Sequence, residues 1–283
     1  MSEKESPDDG VFVEAGGFRV DRRRAVRKLQ RFQLPGTFGA SMLLIRAAVA
    51  SGASHVRIAQ QTLFNEVRFD GEPFPYRFLQ DPYAPILGDK ECHPRERSLA
   101  LGLMHLLDYR PRTVTIRTGA NDERYALAVS PEGIDSARED LTKSEEDGET
   151  DTAIQTEWSV EERTRALRSQ LTRSALRWNC AMCPATIALG DSLIHAPEDD
   201  FPRGEMFSWN GARVVVDEAP VGTTGTLELF HYGVKVQRLE VPYQERGFHV
   251  WVDDPGFALN ASLSAVVQDE RFKRLFREIK KAM

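Results

Sequence analysis

Three cysteines in 283 residues are too few for a disulfide framework. Without one, a reducing, cytoplasmic setting is the simplest expectation. No apolar run approaches the ~18 residues needed to cross a bilayer. The opening MSEKESPDDG is polar and acidic and holds no apolar signal region. Positive charge is not in excess either. Lys and Arg number 37 against 43 Asp and Glu, a net charge of −6, which argues against general nucleic-acid or anionic-membrane binding. Also missing are a P-loop, a G-x-S-x-G nucleophile turn, an H-E-x-x-H zinc helix and any internal repeat. What is present is an apolar fraction of 41 %, enough for a substantial core, in a chain long enough for two domains.

The periodicities predict an α/β (α+β) chain. Residues 1–16 read as a flexible tail. A helix is expected from an Asp21 N-cap to Pro35-Gly36, with Ala25, Val26, Leu29 and Phe32 on one face. Its basic run (Arg22, Arg23, Arg24, Arg27, Lys28, Arg31) suits the solvated face of an amphipathic helix better than a nucleic-acid patch. From Phe38 to Ser51 the sequence is apolar nearly all round, so that helix should be buried, with Gly52 as its left-handed stop. Alternation predicts strands at 55–58 and 65–69, then a long Pro-rich connection over 72–94. Pro94 opens another helix, and 113–117, 125–129 and 152–156 are strands. The acidic stretch 131–150 reads as a mobile loop. A linker helix is expected behind the Ser159/Glu162 capping-box spacing, carrying Val160, Leu167, Leu171 and Trp178 on one face. Strands follow at 184–189, 192–195, 213–216, 226–230, 234–241 and 249–252. A final helix starts near Ser264, with Val267, Phe272, Leu275, Phe276 and Ile279 as its stripe.

MLLIRAAVASGASHVRI, VRFDG, and RSLALGLMHLL followed by TVTIRTG occur in an order that resembles the GHKL ATPase superfamily. There, similar pieces form the conserved E-L-x-x-N-A-x-D-A-G-A helix, the strand ending in the adenine-binding aspartate, and the glycine-bearing helix after the lid. DTAIQTEWSVEERTRALRSQL and FALNASLSAVVQDERFKRLFREIKK extend the resemblance to the ninety-kilodalton heat-shock chaperone, through its linker and middle domain. The resemblance implies a GHKL-like, Bergerat-type sandwich of mixed sheet and helices over 17–157. A smaller ribosomal-S5-like α+β domain would follow over 158–283.

The chemical positions depart from the pattern. The glutamate that serves the family as general base corresponds to Leu43, and the Mg²⁺-ligating asparagine to Ala47. The following aspartate is Ala50, and the middle-domain arginine that meets the γ-phosphate is Leu263. A leucine cannot take a proton, and losing a positioned base costs about 10²–10⁴ in rate. Losing the magnesium ligand removes the usual clamp on phosphate charge. Asp70 survives as the adenine-contacting carboxylate, although Asp-Gly is equally a common turn pair. The D-x-G-x-G pattern continues as Glu72 and Phe74 where glycines belong. Gly102 would keep one phosphate-facing glycine, with Ala100 in place of another. Thr152, preceded by Asp151, would match the threonine near the adenine.

Other groupings carry less. Cys180-Ala-Met-Cys183 has the spacing of half a zinc site, and Cys92-His93 could add two ligands, but a second CxxC is absent and buried structural cysteines are the simpler reading. His93, His105 and His195 form no catalytic pattern, and His105 lies on an apolar helix. Asp199-Asp200 and Asp253-Asp254 read as solvated turns. Phe201, Phe207 and Trp209 are either a contact surface or hairpin core. The expectation is therefore a non-hydrolysing pseudo-ATPase, a chaperone-like module for a protein partner of unknown identity. It would involve no nucleic acid, no membrane and no catalytic or metal residues, and self-association stays open. The alternative is an ATP- or ADP-binding sensor, or slow ATPase, using Asp70, Gly102 and Thr152.

Overall fold

The computed structural model describes residues 39–87, 92–120, 123–130, 134–135, 152–162, 164, 171–198, 202–218, 224–241 and 247–282. The expectations for the tail, the Asp21 helix, most of 131–150, Asp199-Asp200 and Phe201 lie outside these residues.

Helix α1, Gly39–Ala50, is buried at nine of its twelve positions, as its nearly all-round apolar sequence requires. It ends in a Schellman arrangement. Ala53 N–H donates to the Ala48 carbonyl at 3.1 Å and Gly52 N–H to that of Val49 at 2.9 Å, with Gly52 at φ +77°. Strands β1 (His55–Gln60) and β2 (Phe64–Phe69) follow as an antiparallel pair. The Pro-rich connection contains two short helices, α2 (Tyr76–Gln80) and α3 (Ala84–Leu87). Helix α4, Pro94–Asp108, has proline in its first turn and His93 as N-cap, accepting from Arg95 N–H at 3.4 Å. Then come β3 (Thr113–Ala120), β4 (Glu123–Val129), β5 (Ile134–Asp135) and β6 (Thr152–Glu157), a 3₁₀ turn at Val160–Glu162 and α5 (Arg173–Asn179). The chain closes with β7 (Thr186–Leu189), β8 (Ser192–His195), β9 (Glu205–Trp209), β10 (Ala212–Glu218), β11 (Gly225–His231), β12 (Val234–Val241), β13 (Phe248–Asp253) and α6 (Glu270–Ala282).

Among the described residues the strands form two mixed sheets. The first runs β5-β4-β3-β6-β2-β1-β7-β8 and the second β12-β11-β13-β10-β9. Strand β7 joins the first sheet by pairing parallel to β1, Val56 opposite Ile187. A boundary at 157/158 therefore does not separate the sheets, because two strands from beyond it complete the first one. The cores follow the same line. One apolar cluster joins α1, α4 and the first sheet to Leu171, Leu176, Cys180, Cys183, Val234 and Leu263 from the later chain. A second holds Val214, Leu229, Val250 and Val252 of the second sheet against Phe272, Leu275 and Ile279 of α6. Fully burying one such side chain contributes about 1.5–3 kcal/mol.

Three local expectations are corrected. The linker helix is not continuous to Trp178. Leu171 and Thr172 are non-helical, and the Thr172 hydroxyl accepts from Ala175 N–H at 3.1 Å, starting α5 afresh. The final helix begins at Glu270, not near Ser264. Residues before it form turns, with the Asn260 side chain accepting from Ser264 N–H at 2.9 Å and Val267 exposed. Asp253 and Asp254 are not solvated turns but are 3 % and 0 % exposed. Asp253 takes Gly233 N–H at 2.7 Å and Arg213 at 2.9 Å, while Asp254 is gripped by Arg271 through two contacts of 2.8 Å. Phe207 and Trp209 belong to β9, a strand the sequence reading missed, and pack against the second core.

The Asp254–Arg271 pair ties the start of α6 to the end of β13. Asp254→Ala should lower unfolding free energy by about 3 kcal/mol in urea melts, since a buried carboxylate site is emptied and its partner loses a bidentate contact. Two buried histidines set an acid limit. Burial pushes His105 down to about 4. Burial, joined by the nearby Arg46 charge, pushes His231 down to about 3 against a weaker opposing backbone contact at Pro255. Below the ordinary value of 6.5 the unfolded chain binds protons that the folded chain refuses. Stability should thus be full above pH 6.5 and fall toward pH 4 by about 1.4 kcal/mol per pH unit for each histidine. Urea melts across that range should show it, and His231→Gln should flatten the slope.

Candidate functional site

The end of β2 carries Asp70, and the chain turns there against the C-terminus of α1. Glu72 N–H donates to the Ser51 carbonyl at 2.8 Å. Gly71, at φ +108°, approaches so closely that a Cβ would lie 2.7 Å from that same carbonyl oxygen, so only glycine fits. The Asp70 carboxylate reaches across to the start of β1. Its Oδ1 accepts from Ser54 N–H and His55 N–H, both at 2.8 Å. Its Oδ2 takes the Ser54 hydroxyl in a short hydrogen bond, with His55 Nδ1 at 3.4 Å. Partial burial works against the charge, but the Ser54 and His55 donors outweigh it and hold the carboxyl below its ordinary value. A carboxylate offers about four lone-pair sites, and this one is nearly filled from within.

Thr152 opens β6 directly opposite Phe69 in the β2 register, so it lies beside Asp70 at one end of the sheet. Its hydroxyl is 2.8 Å from that of Thr118, which also accepts from Phe74 N–H at 3.0 Å. Thr118, Thr152 and Phe74 are each 1 % exposed. The Phe74 ring packs edge-on to Phe69 at 6.5 Å and tilted on Phe78 at 5.3 Å. Above it sits the Arg95 guanidinium, 5.7 Å from the ring centre. Arg95 in turn pairs with Glu72 at 2.7 Å and donates to its carbonyl at 3.3 Å. That hydrogen bond draws the Glu72 carboxyl below its ordinary value. The loop from Asp70 to Phe74 is thereby clamped to the first turn of α4. Neither Phe74 nor Arg95 figured as a site residue in the sequence. Phe74 at a glycine position was the available signal.

Leu43 and Ala47 of α1 are 5 % and 0 % exposed. Gly102 lies mid-way along α4, where its N–H belongs to the helix's own ladder. A Cβ there would meet Leu44 Cδ2 at 2.8 Å and Leu43 Cβ at 3.5 Å. Its lack of a side chain lets α1 and α4 close on each other. Ala100 is likewise fully buried. One residue before Ala47, Arg46 is 3 % exposed and donates to the Leu263 carbonyl at 3.0 Å. Burial lowers it to about 10, partly offset by Cys180 and Asp253. Leu263 is buried at φ +53°. Asp70 and Thr152 thus share one end of the sheet, Leu43, Ala47 and Gly102 share one helix crossing, and Leu263 sits across α1 from the later chain.

None of these groups is a free base. Leu43 and Ala47 have no acceptor, Asp70 is engaged, and the threonine hydroxyls bond each other. Among the described residues no three of His, Cys, Asp and Glu are grouped to hold a metal ion. Cys180 and Cys183 are buried thiols whose ionisation burial pushes up, Cys183 to about 12. His195 binds the Cys183 carbonyl at 2.7 Å through Nε2.

No family model matches the sequence and no curated protein matches it. Solved structures do. The B-subunit of the DNA gyrase from Myxococcus xanthus superposes with a TM-score of 0.61 at 11 % identity, over 92 % of this chain and 94 % of that one. This chain shares the fold of that subunit. The ATPase region of Saccharomyces cerevisiae topoisomerase II is a second neighbour, with a TM-score of 0.54 at 9 % identity over 80 % of this chain and 75 % of that one. Within this fold, the packing at Gly102 gives a direct prediction. Gly102→Val should cost about 1–3 kcal/mol by overpacking, despite glycine's poor helix propensity. Pairing it with Leu44→Ala should return part of that loss in a double-mutant cycle. Additive costs would show that the helices do not meet there.

Proposed function

We propose that the chain is a non-hydrolysing pseudo-ATPase that serves as a chaperone-like protein-interaction module in the cytoplasm. One observation carries this. The positions that would supply the base and the magnesium ligand, Leu43 and Ala47, are sealed in the core. The internal hydrogen bonds of the Asp70 carboxylate and the burial of the Phe74 ring support it. The likeness to the ninety-kilodalton chaperone, with a ribosomal-S5-like second part, belongs to the same proposal. So do a protein partner and the absence of a bound cofactor.

A second reading has its own support. The fold is shared almost end to end with gyrase B, so a nucleotide sensor or slow ATPase using Asp70, Thr152 and Gly102 is the alternative. It requires Asp70 to release Ser54 or His55, and Phe74 to leave its pocket. Thermal melts with millimolar ATP or ADP, with and without Mg²⁺, separate the two. Ligand at 100 times its Kd would add about 2.7 kcal/mol, a rise of several degrees. The expected result is no shift and no phosphate release. A shift abolished by Asp70→Asn would instead establish the sensor, and Mg²⁺-dependent turnover lost in the same variant would establish the ATPase.

A further inference from the structure

Helix α6 lies on the second sheet with an open groove of about 630 Å³ beside it. Leu227 and Leu239 of β11 and β12 form one side of an apolar floor, and Phe272 and Phe276 of α6 form the other. The two rings stack with centres 6.1 Å apart and planes within 7°. Leu227 and Phe272 are buried, while Leu239 and Phe276 stay partly open to solvent. The α6 wall is cationic, with Lys273 and Arg277 lining the groove and Lys280 above the Phe276 ring at 4.9 Å.

This wall runs against the charge of the whole chain, which is −6. The carboxylates of α6 are already engaged, Glu270 with Lys273 at 3.0 Å and Glu278 with Lys281 at 2.7 Å. Arg271 is taken by Asp254. Exposed Arg274 and Arg277 are left without a carboxylate ion pair among the described residues. Arg277 Nε makes only a long contact, 3.4 Å, to the Lys273 carbonyl. An apolar floor under a one-sided cationic wall complements a segment with apolar anchors on one face and carboxylates along one edge. A nucleic-acid backbone fits less well. Its phosphate backbone offers no apolar side chains to the floor of Leu227, Leu239, Phe272 and Phe276.

We infer that this groove docks an acidic amphipathic peptide segment of a protein partner, its apolar side chains against Leu239 and Phe276 and its carboxylates on Arg277. The inference rests on the reading of the chain as an interaction module, but uses none of the residues at the α1–Asp70 site. The probe is a fluorescein-labelled helical peptide with Leu and Phe on one face and Glu beside them. It is titrated into the full chain without nucleotide and followed by anisotropy. Binding that weakens with added salt is expected. Arg277→Glu and, separately, Leu239→Asp should each weaken it about tenfold, with melting curves confirming that both variants fold. A peptide with Lys in place of Glu should not bind. The inference is overturned if the Glu peptide fails to bind, if the Lys peptide binds equally, if folded variants bind unchanged, or if single-stranded DNA binds in its place. Any of these leaves the nucleotide melts untouched, so the two proposals fail separately.

Discussion

The guanidinium of Arg46 is the fixed point of this molecule. A charge held almost wholly out of water persists only with a strong partner, and here the partner is a main-chain carbonyl, that of Leu263, more than two hundred residues along the chain. The bond requires α1 to be enclosed between the first sheet, α4 and the later chain. Enclosure in turn explains why α1 is otherwise apolar nearly all round and why α4 needs a glycine where the helices meet. The polarity is the reverse of what the resemblance implies. In place of an arginine reaching from the second part toward phosphate, an arginine of the first part reaches back to the second and secures it.

Asp70 illustrates how one residue type can serve two ends. A carboxylate at the end of a strand, followed by glycine, suits adenine recognition, and it suits equally the capping of a neighbouring strand. In this structure the capping role is taken. Ser54 and His55 present their N–H groups to Oδ1 at normal distances, and Oδ2 takes the Ser54 hydroxyl. The Phe74 ring then covers the adjacent threonines, with Arg95 fastening the loop from above. Each contact is modest alone. Together they fix the loop in place, while Asp70 itself keeps about a third of its side chain, 34 %, open to solvent.

Much of the fold was legible because its signals are local. The continuous apolar run of α1, the Gly52 stop, proline at the head of α4 and the alternation in most strands each follow from a few adjacent residues. What escaped was set from a distance. β7 and β8 look like the start of a new run of strands, yet the parallel pairing of Val56 with Ile187 adds them to the first sheet. Asp253-Asp254 has the composition of a solvated turn, yet Arg213 and Arg271, both remote in sequence, draw it inside. The linker helix failed at Thr172, whose hydroxyl starts a helix more readily than it continues one. At the candidate site, apolar Leu43 and Ala47 were visible as residue types. The loop held by Phe74 and Arg95 depends on α4 lying against Glu72, which spacing alone does not encode.

The parallel seam between β1 and β7 has a topological cost for dissection. A fragment stopping after Glu157 would leave one flank of β1 bare, with its amides and carbonyls facing water. Such a rim invites pairing with foreign chains.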